Sequence, residues 1–183
     1  MPMPPPPDLH VLTMDEVAAA IAAAIPAPVE RWHPAHCGDS EMRIARDGTW
    51  YHQGAPIGRR GMVRKFASIL RREPDGGYVL VTPGEKLDIA VEDAPFVATA
   101  MKAANGRVAF QLNTGDLVIA GPEHALRFAQ AADGPRPYLH VRGGLEALVA
   151  RPVYYELVAL ALETDADRPG ILSNGAFFPL EPA

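Results

Sequence analysis

Met42-Arg43-Ile44-Ala45-Arg46-Asp47-Gly48-Thr49-Trp50-Tyr51-His52 reads as two short strands about a turn. Met42 and Ile44 alternate with polar residues, and Trp50 and His52 alternate on the return. Asp47-Gly48 supplies the residue types that enter the left-handed backbone region of a type I′ turn at least cost. A period of two on both sides of such a turn predicts a β-hairpin, and everything outward from it mixes strands with helices, so the fold class expected is α+β.

Downstream, residues 61–72 are predicted to form a helix. Met62, Val63, Phe66, Ile69 and Leu70 make its apolar stripe, and Arg60, Arg64, Lys65, Arg71 and Arg72 lie off it. Gly76-Gly77 closes that unit. Residues 78–81 read as a strand, Pro83-Gly84 as a turn, and Leu87, Ile89 and Val91 alternate on another strand. Upstream, Thr13 with Glu16 forms a capping box before Val17, Ala18, Ile21 and Ile25, which recur at helical spacing until Pro26 and Pro28. Residues 1–7 are a proline-rich run, expected to be extended and mobile. In the second half, residues 107–112 and 117–120 flank Asn113-Thr114-Gly115-Asp116 as a hairpin, and residues 137–141 read as a strand. Pro152 suits the first turn of a helix running to about Glu163. That helix is apolar nearly all round and is expected to be buried, and a last strand falls around Asn174-Gly175.

The halves read as one unit used twice. Ile44-Ala45-Arg46-Asp47-Gly48 is followed by Arg59, a helix and a strand; Leu139-His140-Val141-Arg142-Gly143-Gly144 is followed by Arg151, a helix and a strand. The expected organisation is an arm at residues 1–12, a helix and connecting loop at 13–38, a first subdomain at 39–96 and a second at 97–183.

Composition narrows the function classes. The chain has 183 residues, 48% of them hydrophobic and 21% charged, with a net charge of -5. That balance argues against a nucleic-acid polymer or an anionic membrane surface as the partner of the chain as a whole. No run approaches the roughly 18 apolar residues of a membrane helix. The first ten residues lack the basic and apolar regions of a secretory signal, and Cys37 is the sole cysteine, so a cytoplasmic, reducing location is expected.

His33, His36, Cys37 and Asp39 are all metal-ligand types, but no second cluster of Cys and His exists to complete a site, so no metal and no cofactor are expected. A nucleophilic Cys37 would need a base such as His124 or His140, which nothing in the sequence places beside it. No phosphate-cradling glycine motif or nucleophile elbow is present. Six of the 17 Lys and Arg residues fall between Arg59 and Arg72. Arg64, Lys65, Arg71 and Arg72 read as the solvated face of an amphipathic helix. Arg59 and Arg151 each precede a helix start, where free N–H groups and the dipole favour anions, and the planar fork of Arg grips phosphate.

Cys37-Gly38, Arg46-Asp47-Gly48-Thr49-Trp50, Pro56-Ile57, Met62-Val63, Val81-Thr82-Pro83-Gly84-Glu85-Lys86 and Val91-Glu92-Asp93-Ala94-Pro95-Phe96 resemble the bacterial family called domain of unknown function 1285. Leu139-His140-Val141-Arg142, Leu145-Glu146-Ala147 and Arg151-Pro152-Val153-Tyr154-Tyr155 continue the resemblance, which covers most of the chain from about Trp32. Pro152 departs from the apolar or small residue expected after the second Arg. The resemblance implies an internal duplication into two similar small subdomains, the second loosely like a pleckstrin-homology fold. It also implies a ligand site at the subdomain interface, a nucleotide-like ligand and a signalling role.

Two readings follow. The first is a non-catalytic regulatory module that binds an anionic or nucleotide-like ligand through Arg59, Glu85, Lys86, Arg142, Glu146 and Arg151, with Arg59 and Arg151 in a shared cleft. The second is a cytoplasmic hydrolase acting on a phosphorylated small molecule in the same cleft, with Glu85, Asp47 or Asp93 as base. No recognisable catalytic set supports the second, so the module is favoured. A protein partner or a homo-oligomer is compatible with either.

Overall fold

The computed structural model describes residues 5–181, apart from the side chain of Cys37. The expectations for residues 1–4 and for the Cys37 thiol therefore lie outside the described residues. The chain divides into two compact units. The first holds Ile25–Pro95 with Gly143–Leu145; the second holds Pro5–Ala24, Phe96–Arg142 and the chain from Glu146 onward. Among the described residues no helix is long and apolar enough to cross a membrane.

Helix α1 (Met14–Ala23) opens with the expected capping box: Glu16 N donates to Thr13 Oγ1 at 3.2 Å, and Thr13 N donates to the Glu16 carboxylate at 2.7 Å. It buries Met14 and Val17 beside Leu9 and Ala109. The helix ends at Ala23, so Ile25, expected on its stripe, is instead almost fully exposed. α1 groups with the second unit.

The first unit has six strands and a helix: β1 (His36–Ile44), β2 (Trp50–His52), β3 (Ala55–Pro56), α2 (Arg60–Ser68), β4 (Leu70–Arg72), β5 (Tyr78–Thr82) and β6 (Glu85–Val91). The hairpin that opened the reading is present, with Met42 opposite His52 and Ile44 opposite Trp50. The sheet order is β3-β2-β1-β6-β5-β4, and β1 runs parallel to β6. The unit is thus two three-stranded meanders whose first and last strands lie side by side. Ile44, Trp50, Leu70 and Val81 are its fully buried apolar side chains. The expected helix over residues 61–72 is shorter than its periodicity suggested. It stops at Ser68, because Leu70 pairs with Leu80 and Arg72 with Tyr78 across a hairpin turned by Pro74-Asp75-Gly76-Gly77. Leu70, Arg71 and Arg72 are therefore strand residues.

The second unit repeats the strand plan. Its strands are β7 (Phe96–Ala104), β8 (Arg107–Leu112), β9 (Leu117–Ile119), β10 (Leu126–Ala131), β11 (Gly134–Arg142) and β12 (Leu145–Val149), followed by α3 (Arg151–Thr164) and the hairpin β13 (Gly170–Ser173) and β14 (Ala176–Pro179). The order is β9-β8-β7-β12-β11-β10, and β12 runs parallel to β7. Two sheets with one strand order and one parallel central pair show the duplication, and strands closed by a C-terminal helix fit the loosely pleckstrin-homology-like expectation. The phase of the repeat differs from the one read in the sequence. α2 lies between the meanders of its unit, whereas α3 follows the last strand of its own, so the two helices are not equivalent. In the observed phase, the β4–β5 pair, with Leu70 opposite Leu80, answers to the β10–β11 pair, with Leu126 opposite Leu139.

α3 buries Val153, Leu157 and Ala161, one face of the helix. It is not buried all round: Tyr155 is 61% exposed and Leu162 50%.

Candidate functional site

Arg71 on β4 is the most buried charged residue described, at 7% exposure. Strand alternation would point every second side chain inward, and Val29 and Trp32 supply the acceptors that make a buried guanidinium tolerable. Nη1 donates to the carbonyls of Val29 and Trp32, each at 2.7 Å, and Nη2 donates to Glu73 Oε1 at 2.8 Å. Lys86 Nζ on β6 stands 3.6 Å from the same carboxylate oxygen. The hydrogen bond from Arg71, then the charges of Arg71 and Lys86, hold the Glu73 carboxyl below its ordinary range against the opposing effect of burial.

This ion-paired floor underlies a groove of about 430 Å³ lined by Glu30, His33, Arg71, Arg72, Glu73, Pro74 and Gly143, a volume within the span of small-molecule sites. All seven residues belong to the first unit. Arg72 is exposed, donates from Nη1 to Gly144 O at 3.2 Å and lies with Cζ 5.4 Å from the centre of the Tyr78 ring. Gly143 has φ +54, and a Cβ built there would stand 3.1 Å from Glu30 Oε1, so a glycine lets that carboxylate approach the turn.

Six groove residues, Glu30, Arg71, Arg72, Glu73, Pro74 and Gly143, are not singled out as site residues by sequence, which assigns Arg71 and Arg72 to a solvated helix face. The available signal was Glu73, an acid placed two residues beyond Arg71 where strand periodicity puts both side chains on one face. Of the residues that were singled out, Lys86 reaches the floor through Glu73. Glu85 is exposed at the start of β6, and Arg59 is exposed at the N-cap position of α2 without a side-chain cap. In the second unit, Glu146 is the bidentate partner of Arg127, at 2.7 and 2.8 Å, and Arg127 lies 4.3 Å over the Tyr138 ring. Arg142 lies 5.6 Å over the Phe96 ring, and Arg151 is exposed at the first residue of α3.

The His33 to Asp39 cluster is dispersed. His33 lines the groove, His36 Nε2 lies 3.0 Å from Asp88 on β6, and Asp39 accepts from Glu41 N at 2.7 Å. Among the described residues no three His, Cys, Asp or Glu side chains gather as metal ligands. Asp47, one of the bases considered, is exposed. Hydrogen bonds from Thr49 hold its carboxyl below the ordinary range, which makes it a weaker base.

Comparison with known proteins places these features in a family. The model of the N-terminal domain of DUF1285, a domain of unknown function, matches residues 27–94, and that of the C-terminal domain matches residues 95–180. A DUF1285 family protein from Silicibacter pomeroyi DSS-3 has a crystal structure similar to this one, with TM-score 0.79 and 46% identity over 91% of this chain and 95% of that one. Another, from Shewanella baltica OS155, matches with TM-score 0.53 and 28% identity over 64% of this chain and 90% of that one. No curated protein matches. With consecutive domain models spanning nearly all the described residues and a relative this similar over most of both chains, the protein belongs to the DUF1285 family.

Proposed function

We propose that the protein is a non-catalytic regulatory module that binds an anionic, nucleotide-like small molecule in the groove of its first unit. The observation that carries this reading is the division of labour among the groove arginines. Arg71 spends its donors on two carbonyls and Glu73, whereas Arg72 is exposed at the rim with one 3.2 Å hydrogen bond. A rim guanidinium can turn its remaining N–H groups to a phosphate, each charge-assisted contact being worth about 1.5–3 kcal/mol. Glu30 suits a ribose hydroxyl as an acceptor, and the His33 ring offers a face for a base. Lys86 adds positive potential from below.

Calorimetric titration with AMP, ADP and inorganic phosphate tests this, with the nucleotide quantified before and after. Saturable nucleotide binding without consumption is expected, and Arg72→Ala should weaken it on the order of tenfold or more. Binding that is absent, or unchanged in Arg72→Ala, overturns the proposal. Consumption of the nucleotide would favour the hydrolase reading in its place.

A further inference from the structure

We infer that α2 of one molecule docks on the outward face of α3 of a second copy. The two helices present matching surfaces. On α3, Tyr155, Ala159 and Leu162 recur at i, i+4 and i+7 as an exposed stripe, with Tyr155 61% and Leu162 50% exposed. That spacing is how a helix offers anchors to a partner. Glu156 and Glu163 are exposed beside the stripe, and α3 has no basic residue in its last turn. Among the described residues neither glutamate takes part in an ion pair.

α2 is the converse. It buries only Ala67, leaves Met62 43% exposed and carries no acid in its first turn. Arg59, Arg60 and Lys65 are exposed and Arg64 half-buried, and among the described residues none of the four is in an ion pair. Unneutralised cations in a chain of net charge -5 make this helix the complement of an acidic surface, and Met62 supplies an apolar contact in its first turn. Charge selects the occupant. Two α3 faces meeting each other would bring Glu156 and Glu163 of both copies to one seam, whereas α2 against α3 neutralises both sets and covers both apolar surfaces.

The test is sedimentation velocity of the full chain over a range of concentrations, at low and high salt. Two charge-reversed variants are compared, Arg60→Glu/Lys65→Glu and Glu156→Lys/Glu163→Lys, with melting temperatures confirming that these surface changes leave each folded. The wild type should self-associate at low salt, with dissociation constant rising on the order of tenfold at high salt. Each variant alone should be monomeric, and the two mixed together should associate, because the acidic α2 of one then meets the basic α3 of the other. A monomeric wild type, an association that survives either reversal, or a mixture that stays monomeric overturns the inference. Loss of association in Leu162→Ser with no response to the α2 reversal would assign the contact to paired α3 faces instead.

Discussion

Replacing Arg71 by Met keeps the length of the side chain and removes the guanidinium, which isolates what that group does. Three hydrogen bonds disappear, to Val29 O, Trp32 O and Glu73 Oε1, and the site is 7% exposed. Taken singly, hydrogen bonds to a charged group are worth about 1.5–3 kcal/mol each. They do not add, because the groove admits water to the freed acceptors and Lys86, at 3.6 Å, keeps one cation beside Glu73. Breaking a buried ion pair costs about 3–5 kcal/mol; with that relief the expected loss is about 3 kcal/mol. For a chain of this size it corresponds to roughly 6–12 °C in melting temperature. Differential scanning calorimetry reads it, and the loss should fall on the transition of the first unit. The acid limb gives a second readout. The Glu73 pKa is lowered in the folded state, so its contribution to stability is present above its unfolded pKa and is lost as pH falls through the folded one. In Arg71→Met the depression shrinks, and stability should fall less steeply with acid than in the wild type. A loss below about 1 kcal/mol, or an unaltered acid limb, would refute the account of Arg71 as the structural floor of the groove.

Ser173→Ala should cost about 1–3 kcal/mol, because the fully buried Ser173 Oγ accepts from Val108 N at 2.8 Å and donates to Ala120 O at 2.7 Å; urea unfolding measures it, and a near-neutral result would show that neighbouring groups re-pair. Gly170→Ala places a Cβ against the Phe177 ring and 2.9 Å from Phe178 O. The ring can swing away but the carbonyl cannot, so a loss of about 1–3 kcal/mol is expected, with faster amide exchange in the β13–β14 hairpin.

The hairpin over residues 42–52 was legible because its evidence is local: alternation on both strands and an Asp-Gly turn between them. The Thr13 capping box was legible for the same reason. β4 was not, since Ile69 and Leu70 continue the helical spacing of Phe66, and over three residues a period of 3.6 does not separate from a period of two. Pairing of Leu70 with Leu80 decides it, and that partner lies beyond the local window. β7 carries Ala98, Ala100, Ala103 and Ala104, a composition that argues against a strand until β8 and β12 hold it on both sides. The candidate site was legible only at its margin. Lys86 was named, but a run of arginines reads as solvated surface, and burial of Arg71 depends on the carbonyls of Val29 and Trp32, which carry no sequence signature. α3 was located from Pro152, yet its apolar composition hid which face turns outward.

The membership of α1 in the second unit sets an order of events during synthesis. Leu9, Met14 and Val17 leave the ribosome before the first unit, but the Ala109 surface that covers them is made only after the Ile25–Pro95 segment of that unit. At about 5–20 residues per second, these side chains wait several seconds, time enough for the first unit to complete its sheet once β6 is out. A stretch shorter than a stable isolated helix must therefore stay available, and unclaimed by other hydrophobic surfaces, while a finished neighbour is built between it and its destination. Residues made before the first unit are among the last to find their place, and loss of α1 would strip apolar cover from strands of its own unit that begin only at Phe96, more than seventy residues later.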